Sequence, residues 1–127
     1  MCPATSNNFT PQKISGKLVV IDSATGLMWQ KEYAEYKTWQ EALKYCDDST
    51  YAGYSDWRLP NKNELVSLLN PGKSEIPYSN FPDMPSDRFW SSSTCVSNVA
   101  NAWRVSFDYG VVVSYHKTGT NYVRCVR

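Results

Sequence analysis

The chain holds a single histidine, His116. That scarcity removes the usual zinc sets, because no two of the four cysteines stand close enough for a CxxC pair either. It also leaves no assembled partner for a nucleophile, so no catalytic triad is legible around His116. Long apolar runs are missing too. No stretch reaches the roughly 20 residues that cross a bilayer. The opening MCPATSNNFT lacks the charged and then apolar pattern of an export signal. On this reading either such a signal has been removed or the protein is not exported by that route. Basic clusters are absent as well. Thirteen Lys and Arg against twelve Asp and Glu give a net charge of +1, and the charges are spread evenly. A nucleic-acid reader shows a basic footprint, so that class ranks low. A sulfated polysaccharide wants one too, unless an oligomer assembles it.

Aromatics are what the chain has in surplus: five Trp, nine Tyr and four Phe. Each large ring buries about 150–250 Å². Some must build the core, and the rest are available for a recognition surface. The length of 127 residues suits one domain. Residues 1–13 are polar with two prolines and read as a flexible arm, leaving 14–127 as the domain. An even cysteine count at wide spacing allows three disulfide pairings. Four free thiols in a reducing compartment are the plain alternative. Cys46 with Cys125 is the favoured pair, joining the first helix to the last strand, and Cys2 with Cys95 is the pair left over.

The pattern along the chain is α+β with the helices in the middle. Ile14 to Ile21 and Leu27 to Trp29 read as a hairpin around an Asp22-to-Gly26 turn. Thr38 and Glu41 form a capping-box pattern before a helix whose stripe is Trp39, Ala42, Leu43 and Cys46. Asn61 and Glu64 repeat that pattern before a second helix. A Pro-rich loop spans 71–88, with Phe81 and Met84 as plugs onto the core. Strands follow at Arg88 to Ser92, Ala102 to Asp108, Val111 to His116 and Asn121 to Val126. Trp103, Val105 and Phe107 alternate with Arg104, Ser106 and Asp108, so the first set belongs to the core. Val111, Val113 and Tyr115 alternate with Val112, Ser114 and His116, and composition alone buries the first of these sets. Arg58 is expected to bind backbone carbonyls or an acid such as Asp56, and Arg124 likewise to be structural.

Five phrases in order, VIDSATGLMWQ, TWQEALKYC, GYSDWRLPNKNEL, FWSSS and NAWRVSFDYGVV…YVRCVR, resemble the C-terminal domain family named for the Legionella collagen-like adhesin. The resemblance runs from about Gly16 to Arg127. It implies a C-type-lectin-like fold with two helices, a small twisted antiparallel sheet and long loops. It also implies a secreted or surface-displayed module, on a cell or virion. The adhesin member is a trimeric glycosaminoglycan binder. Within this fold, the frame WSSS…NAWxVxFxxGxV…YVRxVR is similar to the variable proteins of diversity-generating retroelements. That likeness buries Val112 instead. It makes the presented, ligand-binding positions Thr94, Val96, Ser97, Asn98, Asn101, Arg104, Ser106, Asp108, Tyr109, Val111, Val113, Tyr115, His116, Thr118, Thr120 and Asn121.

The sequence therefore carries three functional readings. The first is a non-enzymatic binder of a protein on a cell or particle surface, anchored by Tyr109, Tyr115 and Tyr122, with Arg104 and Asp108 setting polarity. The second is a carbohydrate or glycosaminoglycan adhesin. The third is a fibre-capping or trimerising domain, so a homo-oligomer is part of the expectation. Formylglycine-generating relatives need neighbouring cysteines, which Cys95 and Cys125 would have to supply, and the surrounding motifs are absent. No cofactor is expected beyond a structural calcium in the Pro71 to Asp87 loop. The acids Asp22, Asp47, Asp48, Asp83, Asp87 and Asp108 are otherwise scattered.

Overall fold

Three strands joined by two tight turns begin the fold: β1 (Phe9–Ile14), β2 (Lys17–Asp22) and β3 (Leu27–Gln30), antiparallel in that order. The computed structural model describes residues 9–70, 72, 76, 77, 79 and 81–127. The turn between β1 and β2 is Ser15-Gly16, with φ of 50° and 81°. Positive φ at both central residues matches the twist of a hairpin. Residues 9–13, expected in the arm, are thus strand, and the hairpin strand expected from Ile14 starts at Lys17. The rest of the expected arm lies outside the described residues. In the next turn the Asp22 carboxylate accepts from Ala24 N–H (3.0 Å) and Thr25 Oγ1 (2.9 Å), and Gly26 takes φ 77°.

Both helices start as their sequences dictate. In α1 (Trp39–Asp47) the Thr38 hydroxyl accepts from Glu41 N–H, while the Glu41 carboxylate accepts from Thr38 N–H at 2.9 Å. Ala42 and Cys46 are buried on its inner stripe. In α2 (Lys62–Val66) Asn61 and Glu64 make the same reciprocal pair. Glu64 also receives both Nη atoms of Arg58, at 2.6 and 2.7 Å. The partner of Arg58 is therefore Glu64 and not Asp56. Asp56 instead takes Arg127, at 2.5 and 3.0 Å. The capping position gives Glu64 a fixed orientation, so it offers both oxygens to a planar fork.

The second sheet contains β4 (Ala34–Lys37), β5 (Arg88–Thr94), β6 (Asn101–Ser106), β7 (Val111–His116) and β8 (Asn121–Val123). Their spatial order is β4-β8-β5-β6-β7, with β8 parallel to β5 at Phe89↔Tyr122 and the other pairs antiparallel. One core cluster joins Phe89, Val105, Phe107 and Tyr122 to Val20, Trp29, Leu65, Phe81, Met84 and Val126. Phe81 and Met84 are thus the plugs the loop was expected to supply. A second cluster joins Trp90, Ala102 and Val123 to Val19, Ala42, Cys46, Trp57 and Cys125. Trp103 departs from expectation: it is half-buried, with Lys62 Nζ 4.6 Å from its ring centroid. The cation at the start of α2 thus lies over its ring. This α+β layout is the C-type-lectin-like arrangement.

Cys46 and Cys125 form a disulfide across 79 residues of sequence. Cys95 carries a free thiol, its Sγ 3.4 Å from Ser97 Oγ, so the expected Cys2–Cys95 bridge is corrected from the Cys95 side. Cys2 lies outside the described residues. The calcium expectation falls partly there too. Of its described acids, Asp83 pairs with Lys31 at 3.1 Å.

Replacing both Cys46 and Cys125 by Ser should lower unfolding free energy by about 4 kcal/mol, the chain-entropy value for a closure of this size. Denaturant titration against the wild type measures it. Glu64→Gln should cost about 1 kcal/mol at neutral pH. The Arg58 guanidinium holds the Glu64 carboxyl below its ordinary value, with the Asn61 N–H adding to it. Its stabilisation is present above the unfolded carboxyl value near about pH 4.3 and is lost as pH falls through the folded one. The gap between wild type and variant should close on acidification, read from denaturant midpoints across pH.

Candidate functional site

The register of β5, β6 and β7 sorts the expected site residues by face. Opposed residues share a face, and neighbours along a strand alternate. Ala102, Arg104 and Ser106 stand opposite Tyr115, Val113 and Val111, while Trp90 and Arg88 join them from β5. α1 and its cluster cover one end of this face, over Trp90 and Ala102. The other end is open. There Val111 is 45% and Val113 36% exposed, and Tyr109 in the hairpin turn is 69% exposed. Val112 packs on the opposite side, against the Phe89 cluster. Composition alone therefore misassigns β7. The valines it would bury are outward, because Val112 packs beside Val105 against the Phe89 cluster, while the cover that α1 gives the other side lies over Trp90 and Ala102.

Arg104 is the centre of the open end. Its guanidinium carbon lies 3.8 Å from the centroid of the Tyr115 ring, and Nη1 donates to Asn121 Oδ1 at 3.1 Å. That bond fixes the Asn121 amide, since the flipped form would point its NH2 at a cation. Asn121 is therefore buried beneath Arg104, against the expectation that it is presented. Arg104 Nε and Asn121 Nδ2 are buried and find no acceptor among the described residues. Burial pulls the Arg104 pKa down, and the neighbouring Arg88 guanidinium pulls it further. Arg88 pairs with Asp108 at 3.5 Å and lies 5.7 Å from the Tyr109 ring centroid. Asp108 is also bonded to the Ser106 hydroxyl, which in turn accepts from Tyr109 N–H. Ser106 is accordingly buried, correcting its outward assignment. Two guanidiniums are thus neighbours on this surface, and among the described residues only that of Arg88 is ion-paired, with Asp108.

The remaining expected residues gather at the far end of the sheet. Val96, Ser97 and Asn98 are exposed in the loop after β5, and Thr118 and Thr120 in the loop after β7. Lys117 N–H donates to Ala100 O at 2.9 Å and ties the two loops together. Asn101 and His116 face each other on the side opposite Arg104. His116 Nδ1 lies 3.2 Å from Thr118 Oγ1, and its ring packs 4.2 Å from that of Tyr115. Thr94 is half-buried where β5 ends. The expected site therefore divides into an open half-face and a loop end.

Two contributors were not singled out from sequence. Arg88 stands before the assigned strands' alternation becomes regular. Val99, 70% exposed, extends the loop end. Tyr122, expected as an anchor, is buried between Phe89 at 5.5 Å and Tyr33 at 5.4 Å. A shallow groove of about 600 Å³ runs between α1 and the Arg58 to Asn61 segment, and none of the expected residues lines it. The site is a surface.

A family model described as the Lcl C-terminal domain matches residues 18–127. The chain belongs to the Lcl C-terminal domain family. No curated protein matches it. The Lcl C-terminal domain frame takes in both helices, the whole second sheet and the disulfide, and so includes the open half-face as well as the loop end. β1 lies outside the matched span.

The Tyr122 phenol should ionise above the ordinary tyrosine range. Burial is the main cause, with hydrogen bonding to Tyr36 next and the Asp87 charge after it. Its contribution to stability is fully present below about pH 10 and is lost as pH rises toward the folded value. A spectrophotometric titration should show a late-ionising tyrosine that disappears in Tyr122→Phe. A titration curve unchanged by that substitution would refute the assignment.

Proposed function

We propose that this domain is a non-enzymatic adhesin module, displayed outside the cell, that binds an acidic carbohydrate on the open half-face of its second sheet. The observation that carries the reading is the neighbouring pair Arg88 and Arg104, of which only Arg88 is ion-paired among the described residues, with Asp108. A sulfate or carboxylate brought to this surface relieves the repulsion between the two guanidiniums, and planar forks suit such groups. Tyr109 and Tyr115 border the pair and supply amphipathic rings against which a sugar can lie. Family membership supports a ligand-binding, adhesin-type role. The surroundings of the candidate nucleophiles support binding over catalysis: Cys125 is held in the disulfide with Cys46, and His116 contacts Thr118.

A second reading rests on a different observation. Val111, Val113 and Tyr109 form an exposed apolar border, and such a patch fits a protein receptor. The variable-protein form of this reading adds that the presented positions differ between copies of the gene. It requires a neighbouring reverse transcriptase and a near-repeat of the 3′ coding end.

Heparin serves as the probe for the first reading. Immobilised heparin should retain the domain with an affinity that falls steeply as salt rises. Arg104→Ala and Arg88→Ala should each weaken retention by about 10- to 150-fold, in line with the worth of one charge-assisted hydrogen bond. Binding that ignores salt and both substitutions would reject the acidic-carbohydrate reading. Loss on Tyr109→Ala or Val111→Asp alone would transfer support to a protein receptor.

A further inference from the structure

Every sheet edge must keep foreign strands from adding to it, and most edges here do so visibly. β1 carries Pro11 and Lys13. The outer side of β3 is occupied by the C-terminal residues, through Met28 N–H to Arg127 O at 2.8 Å and Gln30 N–H to Cys125 O at 3.0 Å. β4 is four residues long and irregular between Ala34 and Lys37, with Tyr36 at φ 53°. Proline, lysine, cover and bulges are the standard protections. β7 has none of them. It runs six residues, VVVSYH, in unbroken register with β6 from Ser106↔Val111 to Asn101↔His116. Among the described residues no strand pairs with its outer side.

The strand is also complementary to itself. Antiparallel pairing centred on Val113 sets Val113 against its own copy, Val111 against Tyr115, and Val112 against Ser114. Opposed residues then share a face, as a sheet requires. The open-face pairs are β-branched with β-branched and β-branched with aromatic, both favourable. No charge meets a like charge. A shift by one residue would set the inward Val112 beside the outward Val113 and break the match.

We infer that β7 pairs with β7 of a second copy of this chain, antiparallel and centred on Val113, joining two five-stranded sheets into one. The self-matching register selects a second copy over an unrelated extended peptide. A six-residue edge buries less than the roughly 1,200–2,000 Å² of a standard interface, so the dimer is weak, with a dissociation constant of about 0.1 mM. Arg104 stands opposite Val113 on β6. In the dimer, Arg104, Val113 and their two counterparts form one row across the axis. Three strand spacings then separate the two Arg104 residues by about 14 Å on a continuous face. This pairing does not depend on what the face binds, and it supplies a basic footprint that one copy lacks.

Sedimentation equilibrium at concentrations up to about 1 mM tests it. The wild type should pass from monomer to dimer. Val113→Lys and Val111→Lys should each weaken association about tenfold or more, with thermal melting showing that each variant is folded. An equimolar mixture of V113K and V113E should recover the dimer, because those positions meet at the axis. A wild type that stays monomeric, or forms trimers, overturns the inference. So does a dimer indifferent to both lysine substitutions. A mixture that fails to recover overturns the Val113-centred register.

Discussion

The last seven residues, Asn121 to Arg127, are the constraint on which the rest of the fold depends. They pass between the two sheets and bond to both. Val123 pairs with Ala34, Tyr122 with Phe89, and Val126 bridges to Trp29 and Arg58. Cys125 is bonded to α1 through Cys46. Arg124 is buried, and among the described residues no carboxylate is ion-paired with it. Its Nη1 donates to the carbonyls of Gln30 and Lys31 at 2.9 and 2.6 Å, and its guanidinium carbon lies 4.3 Å from the Phe81 ring centroid. Burial pulls its pKa down to about 10, which still leaves it charged at neutral pH. A cation in that position is tolerated only while the β3–β4 connection and the aromatic cluster stay in place around it. Closure of the domain is thereby made cooperative: the C-terminal segment cannot dock without β3, and β3 has no outer partner without the C-terminal segment.

The same dependence explains what was legible in the sequence. Local chemistry is written in neighbouring residues, so the capping pairs Thr38–Glu41 and Asn61–Glu64 and the Asp22 turn could be read directly. The disulfide could be chosen because helix periodicity put Cys46 on the buried stripe. Partnerships across the chain were harder. Asp56 lies two residues from Arg58 yet bonds Arg127, 71 residues away, because Glu64 is already oriented by its capping role. Ser15-Gly16 is a turn signal that the apolar run beside it obscured.

At the site, alternation identified the strands but could not say which face is covered. β7 shows this best. The more apolar of its two faces is the outward one, and only tertiary cover by Phe89 and Val105 decides for Val112. Family resemblance gave that answer where composition gave the opposite one. Alternation and resemblance together misplaced Ser106, and resemblance misplaced Asn121, small polar residues consumed in holding Asp108 and Arg104. They lie within the presented segment but act beneath its surface.

Arg104 and Arg124 make an instructive pair, since each is a guanidinium against aromatic rings. Around Arg124 the carbonyls are supplied by backbone that must be ordered for the domain to fold, and the cation is sealed in. Around Arg104 the support is a single amide and one tyrosine ring, and the Arg88 guanidinium acts against its charge. The ion pair of Arg88 with Asp108 accounts for one of these cations, and the amide and ring contacts of Arg104 do not neutralise the other. Their mutual repulsion is set against those contacts in the folded state. In the proposed reading, the further counter-charge arrives with the ligand. The rigid C-terminal segment makes this arrangement sustainable, because Asn121 is fixed by its place at the start of β8 and holds Arg104 in position before any ligand binds.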